Sequence, residues 1–450
     1  MLIANYKLHI LIKKNEIIMK LLLFLFITFK LFATTQNLYI LDAKSLTPLS
    51  GAIISDQNCR VKSDKNGMAK ISTSSKNLFI KAYGYKQKTI SSTDSKTVFL
   101  EPFTSKALYV SFWAAGSSKY MNRILKLARD TEINTVIVDV KNEFGNLSYK
   151  SKVRLAQKIG AHKQRTIFNI DKFVKNLKDQ GLYVVARIVV FKDDRLARTH
   201  DQYALKDANA TVWRNREKLA WVDPYDSRVH DYVADIAADA ASRGFDEINF
   251  DYVRFPLKKG LVYLKPHNKR NRVAAISKFL QTANKKLRPY NVYTSVDTYG
   301  YVCWNKGDTN IGHTIKSLAK HTDYISPMLY PSGFGVGILG FRNPTDHNYE
   351  IINESIKAGL KRADIEPSRF KPWLQSFKDY GFDRKFFRSK EVSQQIKGAE
   401  HASCSGWLLW NPSSRFSSKG LQDVRLPYPI LPAYKEVKNL SYCFRKETKD

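Results

Sequence analysis

Residues 245–256 read FDEINFDYVRFP. This is a short apolar strand that delivers Asp251 at its carboxyl end, followed at once by Arg254 and a chain-breaking Pro256. Strands buried on both faces read as near-continuous apolar runs, so a carboxylate where such a strand leaves the core needs a reason. One reason is a site at the carboxyl ends of the strands, where barrel enzymes carry their chemistry. The other is an Asp251–Arg254 ion pair that merely closes the strand end. The segment alone leaves both open.

Working outward, strand-like runs recur on either side: LYVSFW (108–113), NTVIVDV (134–140), YVVARIVVF (183–191), EINFDYV (247–253), VYTSVD (292–297), YISPMLY (324–330), FKPWLQSF (370–377) and GWLLWN (406–411). Between them the period changes to helical over Tyr120–Asp130, Asn169–Gln180, Asp226–Arg243, Arg272–Leu287, Gly312–His321, Tyr349–Arg362 and Glu391–His401. Eight β/α alternations predict an α/β fold, a (β/α)8 TIM barrel over residues 104–435. An open doubly wound sheet fits less well, because no Gly-rich phosphate turn follows the first strand. Residues 192–221 lack periodicity and carry charge and aromatics, which suits a lid or binding loop.

Ahead of the barrel, residues 37–102 alternate short β-type runs with turns, LYIL (38–41), AII (52–54), MAKIST (68–73), LFIKAYGY (78–85) and TVFL (97–100), and predict a small all-β sandwich closed by Pro102. With Gly51-Ala52, the Asp64–Gly67 hairpin and Gly84-Tyr85, this stretch resembles the carboxypeptidase regulatory-like sandwich, which implies an accessory role. Residues 1–36 are expected to be a signal peptide or amino-terminal anchor, with Met19-Lys20 as the true start ahead of LLLFLFITF (21–29). Residues 436–450 are expected to be a carboxy-terminal tail. Export to the periplasm, cell surface or medium follows as the expected location.

With 43% apolar residues the 450-residue chain is globular, and its formal charge is +33. That charge suits an acidic partner such as an anionic polysaccharide or an envelope surface, although lysines spread evenly along a chain are also a compositional habit. No nucleic-acid-binding motif is present, and no nucleic-acid partner is expected. Cys59, Cys303, Cys404 and Cys443 form no Cys-x-x-Cys pair. They suggest neither a metal knot nor a disulfide scaffold.

The residues that leave the predicted strands define a candidate site. Asp251 and Asp297, on neighbouring strands, are the leading acid/base pair, with Asp139 and Glu143 in reserve. Arg254 would hold Asp251 ionised, while Trp113, Tyr299, Tyr330 and Trp410 offer platforms for sugar rings. Gln375 and Asn411 can bind hydroxyls without adding charge. Asp246 and Glu247, at the start of the fourth strand, should face the opposite end. Nine histidines show no cluster at strand ends, so neither metal nor cofactor is expected and metal-dependent deacetylation is disfavoured.

Several segments then carry a resemblance: WVDPYD (221–226), GFDEINFDYVRFP (244–256), SVDTYG (295–300), DYISPMLYPSGF (323–334), NPTDHNYEII (343–352), KPWLQSFKDYGF (371–382) and GWLLWNPSSRF (406–416). In this order they resemble the glycosyl-hydrolase domain family of unknown function found in secreted bacterial proteins. The resemblance implies a TIM-type barrel and glycosidase activity. Chitinase-type barrels carry D-G-x-D-x-D-x-E at the fourth strand; here the acid position is Val253, while Asp251 matches a carboxylate position. The expected function is therefore cleavage of an O-glycosidic bond in an extracellular or envelope polysaccharide, without that family's substrate-assisted scheme. Asp251 would act as nucleophile or base and Asp297 as proton donor. Carboxyl separation decides the stereochemistry, about 5–5.5 Å for retention and about 6.5–9.5 Å for inversion. The alternative is a non-catalytic carbohydrate-binding barrel.

Overall fold

The computed structural model describes residues 34–94 and 96–424. Residues 1–33 of the expected leader, the expected tail and Cys443 lie outside the described residues, whereas Thr34, Thr35 and Gln36, the last three residues of the expected leader, belong to the first strand. The chain divides into two units: residues up to Lys81 together with Lys88–Leu100, and Ala82–Gln87 together with the chain from Glu101 onward.

In the first unit, seven strands form two sheets. They are β1 (Thr34–Asp42), β2 (Ile53–Ser55), β3 (Arg60–Lys62), β4 (Met68–Thr73), β5 (Asn77–Lys81), β6 (Lys88–Ser91) and β7 (Thr97–Leu100). One sheet runs in the order β4-β1-β7 and the other β3-β2-β5-β6. Every second residue of β4 is buried, the pattern of a sheet with one apolar face. The turn expected as a hairpin at Asp64–Gly67 instead joins β3 to β4 across the two sheets; Gly67 takes φ +72° there, and a Cβ would meet the Ile40 carbonyl oxygen at 2.6 Å. Only glycine suits that position.

Eight parallel strands close the barrel of the second unit: β8 (Ser105–Val110), β9 (Thr135–Lys141), β10 (Tyr183–Val189), β11 (Glu247–Asp251), β12 (Tyr293–Tyr299), β13 (Tyr324–Met328), β14 (Trp373–Gln375) and β15 (Gly406–Trp410). Each pairs with its successor, and β15 returns to β8 with Gly406 opposite Ser105. Gly406 sits at φ +137°, and a Cβ would strike the Ser105 carbonyl oxygen at 1.9 Å, so the closing seam requires glycine.

Helices fill the connections: α1 (Phe112–Ala115), α2 (Ser118–Asp130), α3 (Arg154–Lys158), α4 (Ile170–Asp179), α5 (Asp194–Thr199), α6 (Ser227–Ala241), α7 (Lys269–Leu287), α8 (Ile315–Ala319), α9 (Asn348–Ala363) and α10 (Ser389–His401). Local chemistry starts several of them. Asn169, Asp226, Asn268 and Thr314 each accept a backbone N–H of the first turn of α4, α6, α7 and α8. The helices bury their apolar stripes on the outside of the strands; Val229, Val233, Ile236 and Ala240 of α6 pack in the same core as Ile248 and Phe250 of β11. Each such side chain contributes roughly 1.5–3 kcal/mol on burial.

A separate cluster fills the barrel itself, built from Tyr109, Ile137, Tyr183, Val185, Tyr293, Tyr324, Trp373 and Leu408. At its amino-terminal end Glu247 pairs with Lys371 at 2.7 Å and accepts a hydrogen bond from Tyr183. Glu247 is thus at the end opposite the strand exits.

The first barrel strand, β8, is displaced three residues toward the amino terminus from its sequence pattern. It ends at Val110 because the Ser111 side chain accepts the Ala114 N–H and starts α1, which carries Trp113 out of the sheet. The aperiodic stretch 192–221 contains α5 and several β-bridges, among them Ala204 to Val222 and Lys206 to Val262. The second bridge joins it to the β11–α7 loop.

Candidate active site

Asp251 and Asp297, the last residue of β11 and the fifth of β12, both line a cavity of about 220 Å³ at the carboxyl ends of the strands. Arg187, Tyr252, Arg254, Tyr299, Met328, Tyr330, Trp373 and Trp410 complete its wall. The structure therefore brings together six of the residues singled out by sequence, Asp251, Asp297, Arg254, Tyr299, Tyr330 and Trp410.

The ion pair that holds Asp251 does not come from Arg254. Arg187, in the middle of β10, donates from Nε to Asp251 Oδ2 at 3.1 Å and from Nη2 to the same oxygen. Its Nη1 donates to Asp139 Oδ1 at 2.5 Å, and the Tyr109 hydroxyl donates to Asp139 Oδ2 at 2.5 Å. The β9–β10 register places Asp139 beside Arg187 and then slips, so that Ile188 faces Lys141. A bulge of this kind re-aims side chains next to an active site. Burial disfavours the Arg187 charge, but Asp139 and Asp251 more than offset this and keep the guanidinium charged.

Asp297 is held differently. Asn249 Nδ2 and the Trp373 indole N–H both donate to its Oδ1 at 2.8 Å. Oδ2 accepts no hydrogen bond among the described residues. Burial, reinforced by the negative charge of Asp251, pushes the Asp297 carboxyl well above the usual carboxylate range. A carboxyl that holds its proton more tightly than an ordinary one thus stands beside one that is paired with an arginine. Environments that set two acids apart in this way separate proton donor from anion.

Backbone conformation fixes the turn after Asp251. Tyr252 has φ +49°, a left-handed conformation that costs a non-glycine residue roughly 1–2 kcal/mol. Its N–H donates to Asp251 Oδ1 at 2.5 Å, and its ring packs against Trp221 and under Lys192 and Arg254. Behind this turn His313 Nε2 donates to the Val253 carbonyl at 2.7 Å, so Nδ1 accepts from the Thr298 hydroxyl at 2.7 Å. Burial lowers the His313 pKa to about 4, and the neutral ring ties the Asp251 turn to β12.

Five sequence candidates do not reach the cavity wall. Trp113 is 64% exposed on α1, for the reason given above. Asp139 is buried and occupied by Arg187 and Tyr109; burial raises its pKa, against the pull of the arginine. Glu143 lies half-buried beyond it. Gln375 spends its amide on Ser332 and the Phe377 carbonyl, and Asn411 on the Ser376 carbonyl and the N–H groups of Ser413 and Arg415. These two amides shape loops. Val253, at the chitinase acid position, is buried between strands and helices. Trp113→Ala is accordingly expected to leave stability within about 0.5 kcal/mol, and substrate binding unchanged by titration calorimetry.

Sequence reading passed over Arg187, Trp373, Tyr252 and Tyr109. Among the described residues, no three His, Cys, Asp or Glu side chains are grouped to hold a metal ion.

An eight-stranded parallel barrel with paired acids and aromatic walls at the strand exits is a glycosidase-like fold. The family described as "Putative glycosyl hydrolase domain" matches residues 107–416, and the chain belongs to it. A hypothetical protein from Ruminiclostridium thermocellum ATCC 27405 is 35% identical, over 42% of this chain and 96% of that one, with a TM-score of 0.38. The PgaB (BpsB) glycoside hydrolase domain from Bordetella bronchiseptica is 12% identical over 69% of this chain and 95% of its own, with a TM-score of 0.51. A GH18 chitinase from Pseudoalteromonas aurantia is 12% identical over the same shares, with a TM-score of 0.43. At 12% identity the likeness to the Bordetella domain is one of fold. No curated protein matches the chain.

Proposed function

We propose that the barrel hydrolyses an O-glycosidic bond, with Asp297 as proton donor and Asp251 as nucleophile or base. The observation that carries this is the contrast between the two acids: Asp251 is held by Arg187, while burial and that neighbouring charge raise the Asp297 pKa well above the ordinary range. Proton donation to the departing oxygen needs the second state, and attack on the anomeric carbon or on water needs the first. Trp410, stacked on Tyr109 at 3.9 Å between ring centroids, together with Tyr330 and Trp373, gives flat apolar faces on which a pyranose ring can rest. The leader-like sequence from Met19 supports a polysaccharide outside the cytoplasm as substrate.

Release of reducing ends from a panel of polysaccharides tests the reading. The native chain is expected to release them from at least one glycan, and Asp251→Asn and Asp297→Asn each to lower that release by about 10²–10⁴-fold. Retardation of a polysaccharide in a gel without release would instead mark a carbohydrate-binding barrel. Unchanged release by both variants would overturn the residue assignment.

A further inference from the structure

Arg254 is a cavity cation that no carboxylate among the described residues pairs with. Its guanidinium carbon lies 4.8 Å from the Tyr299 ring centroid, 4.9 Å from Trp221 and 5.0 Å from Tyr252, so three aromatic rings surround it. Among the described residues its side chain makes one hydrogen bond, from Nη1 to the Phe255 carbonyl at 3.2 Å. Among the described residues no carboxylate comes within ion-pair distance of it. Arg187, the other cavity arginine, is by contrast taken up by two carboxylates. Glu217, on the neighbouring loop, feels the Arg254 charge but grips Lys192.

Guanidinium presents five N–H donors in its plane, and the aromatic rings around Arg254 accept none of them as a carboxylate would. Arg254 therefore offers a fixed, planar donor edge in the same cavity as Asp251 and Asp297. A half-buried charge with most donors unused gains most from a planar anion that can accept two of them at once. A second consideration points the same way. Asp139 and Asp251 share one arginine and so leave a net negative charge that repels an acidic sugar, and a cation in the same cavity offsets that repulsion where the sugar's own charge sits.

We infer that Arg254 reads a carboxylate on the substrate, making the glycan one that contains a hexuronate. This deepens the glycosidase reading and rests on it for the placement of a sugar in the cavity. Cation–π contact with Trp221, Tyr252 and Tyr299 positions the guanidinium, and the carboxylate selects the sugar that the acids act on.

Titration calorimetry of the full chain at about physiological ionic strength tests the inference. The probes are oligosaccharides of galacturonate, of mannuronate and of alternating glucuronate and N-acetylglucosamine, each beside its carboxyl-reduced counterpart. At least one acidic probe is expected to bind tenfold or more tightly than its reduced form. Arg254→Gln should erase that preference while leaving affinity for the reduced form within about twofold, and Arg254→Lys should retain part of it. One charge removed from a net of +33 hardly alters the general attraction for polyanions, so a tenfold loss belongs to this guanidinium. The inference is overturned by equal binding of acidic and reduced probes, by no binding of any acidic probe, by a preference that survives Arg254→Gln, or by equal loss for both forms in that variant. Binding is read without turnover, so its failure is distinct from a failure of Asp251 and Asp297 to cleave.

Discussion

Asp297→Asn is expected to lower kcat by about 10³-fold on an unactivated glycan while leaving the folded protein at least as stable as before. Asn keeps an oxygen for the Asn249 and Trp373 donors and nearly the volume of the acid. What it removes is the proton. Burial, followed by the Asp251 charge, raises the carboxyl pKa, so the folded chain holds that proton more tightly than the unfolded chain does. By linkage, this favourable contribution is fully present below the unfolded pKa and is lost as pH rises through the raised folded value. The variant lacks that loss, so its denaturant midpoint should match the native one in acid and exceed it at alkaline pH. The rate carries the same signature. The alkaline limb of kcat in the native enzyme reports deprotonation of the donor and should vanish in the variant. A substrate with an activated aryl leaving group needs less protonation and should recover much of the lost rate. A large loss on both substrate types, with the pH limb retained, would place the donor elsewhere.

The barrel was legible in the sequence because strands buried on both faces leave continuous apolar runs, and those runs alternate with helical periods eight times. All seven helical stretches read from the sequence appear, with ends displaced by a few residues. The exit rule also located Asp251, Asp297, Tyr299, Tyr330 and Trp410, because in a closed parallel barrel every strand end points to one rim. It failed where local chemistry ended or bent a strand. Ser111 caps a helix and removes Trp113, while the positive φ of Tyr252 sends Val253 into the outer core. It could not weigh competition among polar groups either: Gln375 and Asn411 sit at exits, yet the loops consume their amides. Arg187 was missed because attention went to strand ends, although a lone arginine within YVVARIV, where all seven residues are buried, is itself a signal. A charge so placed must have partners, and in a barrel they stand on adjacent strands.

Arg187→Met is expected to be the most destabilising of these substitutions, at about 3–5 kcal/mol near neutral pH. The arginine joins two buried carboxylates, and its guanidinium also lies 5.0 Å from the Trp410 ring centroid and 5.6 Å from that of Tyr109. Its side chain is 3% exposed, so water cannot take over its role. Without it Asp139 and Asp251 stand unpaired beside Asp297, and the burial that already raises the Asp139 pKa goes uncompensated. The sign of the pH dependence follows: the variant should lose most stability at neutral and alkaline pH and regain part of it in acid, where protonation of Asp139 relieves the buried charge. Denaturant midpoints at about pH 4.5 and pH 7.5 measure this. Adding Asp139→Asn to Arg187→Met removes one of the orphaned charges and should recover a substantial share of the loss, whereas Asp139→Asn alone should destabilise. Arg187→Lys should fall in between, because a single ammonium cannot span both acids as the fork does. A pH-independent loss, or a double variant no better than Arg187→Met, would mean that the guanidinium acts through packing on Trp410 and Tyr109, and that Asp251 owes its placement in the cavity to the Tyr252 turn alone.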